Sequence, residues 1–159
     1  MARLKKTLSV EYPKAVAWGY SRLSTDESRQ PMSREVQERQ IRLYCDYKFA
    51  DTRIKLKTIF HDEVSASRTK MFCREAGGQL NMALKAGDHL IVSKLDRLTR
   101  SLLDFAGLMA DAQRERWNLV VLDLGIDLST PTGELHASVM ASVAQWERRR
   151  IGERTRDAL

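Results

Sequence analysis

Four short apolar runs, spaced by stretches long enough to hold a helix, constrain this chain more than any other feature. They are AVAWGYS at residues 15–21, LKTIF at 56–60, HLIVS at 89–93 and NLVVLD at 118–123. Each has strand length and composition and is bounded by turn-forming or polar residues. Strand and helix signals that alternate in this way predict an α/β domain with a mostly parallel central sheet flanked by helices. At 159 residues with 43% hydrophobic content, the chain is long enough to bury one core of ordinary size.

The first 13 residues read as a flexible tail ending at Pro13, and residues 14–128 as the α/β core. Pro31 excludes a helix across the polar residues 25–32. Ser33 is placed to cap a helix with Val36, Leu43, Tyr44 and Tyr47 inward. After the 56–60 strand, HDEVSASRTK reads as a loop. A helix over 74–86 would turn Ala76, Leu80, Ala83 and Leu84 inward, with Gly77 and Gly78 each costing about 1 kcal/mol. Ser101 and Asp104 start another helix, with Leu102, Phe105, Ala106 and Met109 on one face.

Residues 129–159 read as one long helix capped by Thr130, with Pro131 at its first position. It would span roughly 43 Å, more than the core needs. Leu135, Val139, Val143 and Trp146 form an apolar stripe suited to the domain or a partner subunit, and the basic run WERRRIGERTR suits an acidic surface. A polar helix still running without a cap at the last residue suggests a fragment whose next domain is absent.

The charge balance limits the partners. With 27 Lys and Arg against 21 Asp and Glu, the net +6 favours a polyanion, although it also suits simple solubility. No run of about 18 apolar residues occurs, so no membrane span is expected, and the N-terminus lacks the apolar segment of a signal peptide. Cys45 and Cys73 lack metal-binding spacing and read as free thiols of a reducing, cytoplasmic compartment. His61, His89 and His136 are isolated and read as structural. No metal or other cofactor is predicted.

Three places converge on chemistry. GYSRLS carries Tyr20, Arg22 and Ser24 out of the first strand; on an extended segment Arg22 and Ser24 project to the same side. SKLDRLTRS leaves the third strand with Asp96, Arg97 and Arg100, and Asp96 and Arg100 would be an i, i+4 pair if the segment were helical. The third place is the segment from Arg68 to Arg74. Attack on a phosphodiester needs a hydroxyl, fixed cations on the non-bridging oxygens and a group that moves a proton. Arginine suits the second task because its planar fork grips two oxygens and keeps its charge. Taken singly, a serine at a strand end is a turn former and an Asp beside an Arg is a surface pair. No G-x-S-x-G elbow accompanies Ser24 and no histidine is positioned by motif to activate it, which argues against acyl-transfer chemistry.

In order, these pieces resemble the serine recombinases: the resolvases, invertases and serine integrases. Tyr20, Arg22, Ser24 and Thr25 match the family's Y-x-R-x-S-T, KLDRLTR its L-D-R-L-x-R, and LSTPTGEL with AQWERRRIGERT its run into a long terminal helix. The resemblance covers nearly everything from Ala15 onward. It implies a bacterial or phage-encoded catalytic domain in which Ser24 attacks DNA, leaving a 5′-phosphoseryl link and a free 3′-OH without metal or cofactor. It further implies that Arg22, Arg97 and Arg100 hold the transferring phosphate, that Asp96 orients them or moves a proton, and that Gln37 lies near the nucleophile. A further family arginine falls on Arg74, with Arg68 its rival, because this chain has Arg-Glu-Ala where the family commonly has Arg-Pro-Gly. Glu147, Arg148, Glu153 and Arg154 would serve subunit contact and DNA backbone binding. Partners would be double-stranded DNA and further copies of the chain: a dimer, and a tetramer during synapsis. The stretch ESRQPMSRE is more like the large serine integrases or transposases than the short resolvases.

Two other classes fit the same residues. A metal-dependent nuclease would use Asp62, Glu63, Asp96, Asp123 and Asp127, all near strand ends. A non-catalytic interaction module would use only the basic helix.

Overall fold

The computed structural model describes residues 14–24, 33–64, 69–99 and 101–157. The fold is the expected α/β arrangement. Strand β1 (Ala17–Leu23) leads to helix α1 (Arg34–Lys48), β2 (Leu56–Glu63) and, through a single 3₁₀ turn at Met71–Cys73, to α2 (Glu75–Ala83). Then follow β3 (His89–Val92), the one-turn helix α3 (Leu95–Leu98), α4 (Leu102–Glu115), β4 (Asn118–Val121), β5 (Ile126–Asp127) and α5 (Pro131–Asp157). The sheet order is β2-β1-β3-β4-β5, parallel except for β5, which was not anticipated. A 3₁₀ turn at Leu122–Leu124 and the left-handed Gly125 (φ 59°) reverse the chain into it.

Strand alternation sends the two faces of β1 into different cores. Ala17 packs with Ile41, Cys45, Phe49, Ile91 and Val120 under α1, whereas Trp18 and Tyr20 join Leu80, Leu90, Leu98, Phe105 and Leu119 on the other face. Tyr20 and Arg22 therefore leave the carboxyl end of the sheet on the side of α2, α3 and α4. β2 extends beyond the expected Phe60 because His61, Asp62 and Glu63 stay in register with Ser21, Arg22 and Leu23.

The helices reproduce the expected caps but not every expected face. Ser33 accepts from the backbone N–H of Val36, Ser101 from that of Asp104 and Thr130 from that of Gly133. On α1 the inward residues are Gln37, Ile41 and Cys45; Val36, Leu43 and Tyr47 are exposed, contrary to expectation, and only Tyr44 is half-buried. Both sets have helical spacing. The buried set wins because Gln37 binds the backbone of Arg22 and Ile41 packs beneath Gly19.

On α2, which is shorter than expected, Leu80 and Leu84 are buried and Ala76 and Ala83 half-buried. Gly77 serves close approach, since a Cβ there would collide with the Met71 carbonyl oxygen. On α5 the docked residues are the small ones, Gly133, Ala137 and Ala144, with Met140 half-buried. The stripe expected to pack on the domain or on a partner subunit does not pack on the domain: it faces outward, from 42% exposed at Val143 to 63% at Leu135. The helix therefore meets α4 and β5 closely through small side chains and leaves its large apolar ones uncovered.

Candidate active site

The site is built where β1 and β3 end. β1 delivers Tyr20 and Arg22 to one face and then the half-buried Ser24 just past its last residue. Gln37 on α1 secures this exit: its Oε1 accepts from Arg22 N at 3.1 Å and its Nε2 donates to Arg22 O at 3.1 Å. An amide on a neighbouring helix thus completes the backbone pairing of the residue two before the serine.

Three buried arginines meet here: Arg22 at 0%, Arg74 at 4% and Arg97 at 4% exposed. Arg22 donates through Nη1 to Val64 O (2.7 Å) and through Nη2 to Asp96 O (3.0 Å), while its buried Nε has no acceptor among the described residues. Arg97 Nη1 donates to Arg22 O at 3.1 Å, and its Nε lies 3.2 Å from the half-exposed Asp96 carboxylate. Burial lowers the Arg22 pKa, and the charges of Arg97 and Arg74 lower it further. Cations gathered out of water with an orphan N–H form a site of high positive potential with capacity for an anion.

Arg74 is differently employed. Its Nε donates to Thr69 O (3.1 Å), Nη1 to Tyr20 Oη and Arg97 O (both 2.9 Å), and Nη2 to Leu98 O (2.9 Å). A guanidinium has five N–H donors, so one Nη2 hydrogen is left. Arg74 therefore caps the carbonyls that end α3. Thr99 is extended beyond it (φ −155°), so α3 ends at Leu98 and the helix on which an i, i+4 pairing of Asp96 depended stops there. Arg100 and Arg68 themselves lie outside the described residues, as do Thr25 and most of ESRQPMSRE.

Tyr20 completes the framework. Its hydroxyl donates to Asp62 Oδ2 at 2.9 Å while accepting from Arg74. Burial raises its pKa well above the ordinary 10, so it stays neutral. Asp62 also accepts from Ala76 N (2.9 Å) and Gly77 N (3.0 Å), the first turn of α2. This anchoring role was not legible in the sequence; the available signal was an aspartate ending one strand ahead of a helix without a capping side chain.

The carboxylates considered as metal ligands are dispersed and engaged. Asp62 holds α2 and Tyr20, Asp123 accepts from Leu95 N, Asp127 binds Tyr44 and Lys48, and Asp96 pairs with Arg97. Among the described residues no three His, Cys, Asp or Glu side chains are grouped to hold a metal ion.

The nearest hydroxyl–imidazole pair belongs to another serine. Ser21 Oγ lies 2.9 Å from His61 Nδ1, and His61 Nε2 lies 3.6 Å from Glu63. Ser21 is fully buried and faces α1, on the opposite side of β1 from Tyr20 and Arg22, so this row stands apart from the arginine cluster.

Arg148 on α5 stands at the site's margin, on the wall of a cavity of about 340 Å³ that Met71, Phe72, Arg74, Leu98 and Leu108 also line. Glu147 is half-buried, and Glu153 and Arg154 lie exposed further along. Among the described residues no helix is long and apolar enough to cross a membrane.

Comparisons with known proteins agree with this architecture. The chain is 33% identical over 140 residues to the transposon Tn3 resolvase of Escherichia coli, covering 88% of this chain and 68% of that protein. A DNA-invertase of Enterobacteria phage P7 is also 33% identical, over 141 residues, covering 89% of this chain and 67% of the invertase. The fold matches the N-terminal catalytic domain of TP901-1 integrase, with TM-score 0.67, 23% identity, and 84% and 97% of the two chains covered. It matches equally a resolvase-family site-specific recombinase from Streptococcus pneumoniae, with TM-score 0.67, 21% identity, and 91% and 95% coverage. The family model "Resolvase, N terminal domain" spans residues 17–159, and the chain thus belongs to the resolvase family of site-specific recombinases.

Proposed function

We propose that this domain cuts and rejoins double-stranded DNA through Ser24. The observation that carries the reading is the cluster of Arg22, Arg74 and Arg97, buried at the strand end that presents Ser24, with Arg22 Nε lacking an acceptor among the described residues. A phosphodiester supplies the missing acceptors and the negative charge, and its pentacoordinate transition state carries more charge on the oxygens that the arginines face. Ser24 Oγ gives up its proton and forms a bond to phosphorus, the P–O3′ bond breaks, and the departing 3′ oxygen takes up a proton, so no proton is gained or lost overall. One phosphodiester replaces another, so the 5′-phosphoseryl link conserves the bond energy for rejoining and needs no energy-supplying cofactor.

In this reading Arg22, Arg97 and Arg100 hold the phosphate. Asp96 orients Arg97, Gln37 fixes the strand exit, and Tyr20 and Arg74 are positioning residues that set the α3 turn. Arg74 has one Nη2 hydrogen to spare for the phosphate. Glu147, Arg148, Glu153 and Arg154 on α5 serve subunit and DNA backbone contacts. Further copies of the chain, a dimer and then a synaptic tetramer, cover the stripe of Leu135, Val139, Val143 and Trp146.

The test is incubation with a cognate site in the presence of a chelator, followed by denaturing electrophoresis. A protein–DNA adduct is expected from the wild type and none from Ser24→Ala. An adduct persisting in Ser24→Ala, or recombination by the wild type without any adduct, refutes the mechanism.

A further inference from the structure

A second basic surface lies at the opposite edge of the sheet. The amino ends of the strands and the turns beside them bring together Lys14, Arg53, Lys55, Lys57, Lys85 and Arg116, all exposed. Backbone bonds fix this convergence: Ala17 N donates to Lys55 O (2.9 Å), His89 N to Val16 O (2.9 Å) and Gly87 N to Arg116 O (2.8 Å). Asp88 N donates to Lys85 O at 3.0 Å, which ties the fourth segment in.

The charge here is uncompensated. Among the described residues none of the six cations joins an ion pair. Asp88 is buried and saturated by Val16 N, Trp18 Nε1 and Lys85 N. Asp51, in the turn before β2, and Glu115, which precedes Arg116 and pairs with Arg114, are exposed acids nearby in sequence. Lys57 is also held in place, its Nζ 5.1 Å from the centre of the Trp18 ring.

Lysines on an edge strand protect it from pairing with other chains. That accounts for Lys57 on β2 and Lys55 just ahead of it, but not for Lys14, Lys85 or Arg116, which flank other strands. We propose that this amino edge is a second duplex-DNA surface, gripping the phosphate backbone of a segment other than the one cleaved. The choice of DNA rests on the proposed function. The two surfaces stand at opposite ends of β1, about 20 Å apart, so each serves a separate stretch of duplex.

The test is a bridging assay with the 159-residue chain, in which one duplex is fixed to beads and a second, labelled duplex is free. Two triple variants are compared: Lys55→Gln/Lys57→Gln/Lys85→Gln, and Lys14→Gln/Lys55→Gln/Arg116→Gln, which spares the Trp18 contact. Both should keep the wild-type melting temperature and Ser24–DNA adduct while losing bridging at least tenfold. With three phosphate contacts removed, the slope of log K against log salt should fall by about 2.7, so the affinity loss between 50 and 200 mM salt shrinks roughly 40-fold. Unchanged bridging and slope overturn the proposal. So does loss of polyglutamate binding with bridging intact, which assigns the surface to an acidic protein. A wild type that forms the Ser24–DNA adduct but bridges no duplexes also overturns the proposal, whereas a wild type that forms no adduct overturns the proposed function.

Discussion

Replacing Arg74 separates its work as a scaffold from any work on a phosphate. Arg74→Ala removes four hydrogen bonds at once, to Thr69 O, Tyr20 Oη, Arg97 O and Leu98 O. Bonds to a charged donor contribute about 1.5–3 kcal/mol each, but such losses are not additive and water partly re-solvates the rim. The buried share is the pair at Arg97 and Leu98 together with Tyr20, and losing it should cost about 3 kcal/mol. For a domain of this size that lowers the melting temperature by roughly 6–12 °C. Arg74→Lys, which keeps the charge but not the fork, should recover part of this. Thermal unfolding followed by circular dichroism reads both variants. Arg74→Ala melting like wild type while forming no DNA adduct would refute the argument, because the residue would then act on the phosphate alone.

Other perturbations test other parts. His89 is buried against Phe49, with Nδ1 unpartnered and Nε2 3.5 Å from Asn118 Nδ2, and burial lowers its pKa below the ordinary 6.5 despite Asp127 and Asp88 nearby; Lys48 adds to the lowering. The unfolded state therefore takes up the proton first, so stability present above about pH 6.5 is lost as pH falls through that value. Urea unfolding from pH 7.5 to 5 should show this loss, and a parallel curve for His89→Gln would sink it. Gly77→Ala should destabilise by about 1–3 kcal/mol against the Met71 carbonyl, whereas Gly107→Ala, in open space within α4, should stabilise by up to about 1 kcal/mol, both read by chemical denaturation. Val139→Ser with Val143→Ser should leave the monomer's melting temperature unchanged but weaken self-association in light scattering, since both side chains are exposed. A melting loss of several degrees would place them in the core instead.

Much of the architecture and the chemistry-bearing residues could be read from local pattern. Strand-length apolar runs, caps at Ser33, Ser101 and Thr130, and Pro131 at a helix start act through near neighbours, so the sequence shows them directly. Tyr20, Arg22 and Ser24 at the end of β1, and Asp96 and Arg97 after β3, were placed together because parallel strands put their carboxyl ends at one edge. The inward faces of α1 and α5 were not legible. Two apolar sets at helical spacing compete on each helix, and the choice belongs to what lies opposite: Arg22's backbone for Gln37, and the close approach of α4 and β5 for Gly133, Ala137 and Ala144.

The division at the active site follows the same physics. Sequence alone determined that a serine, several arginines and one aspartate would converge at a sheet edge of a basic α/β domain. Only tertiary structure decided what each arginine's donors meet. Arg74 is expected as the further active-site arginine, with Arg68 its rival, and four of its five donors meet Tyr20 and carbonyls, whereas among the described residues Arg22 keeps a buried Nε without an acceptor. The reason is that a guanidinium's partners come from residues distant in the chain, Thr69, Tyr20, Arg97 and Leu98 for one and Val64 and Asp96 for the other, and no local pattern records which of them the fold brings within 3 Å.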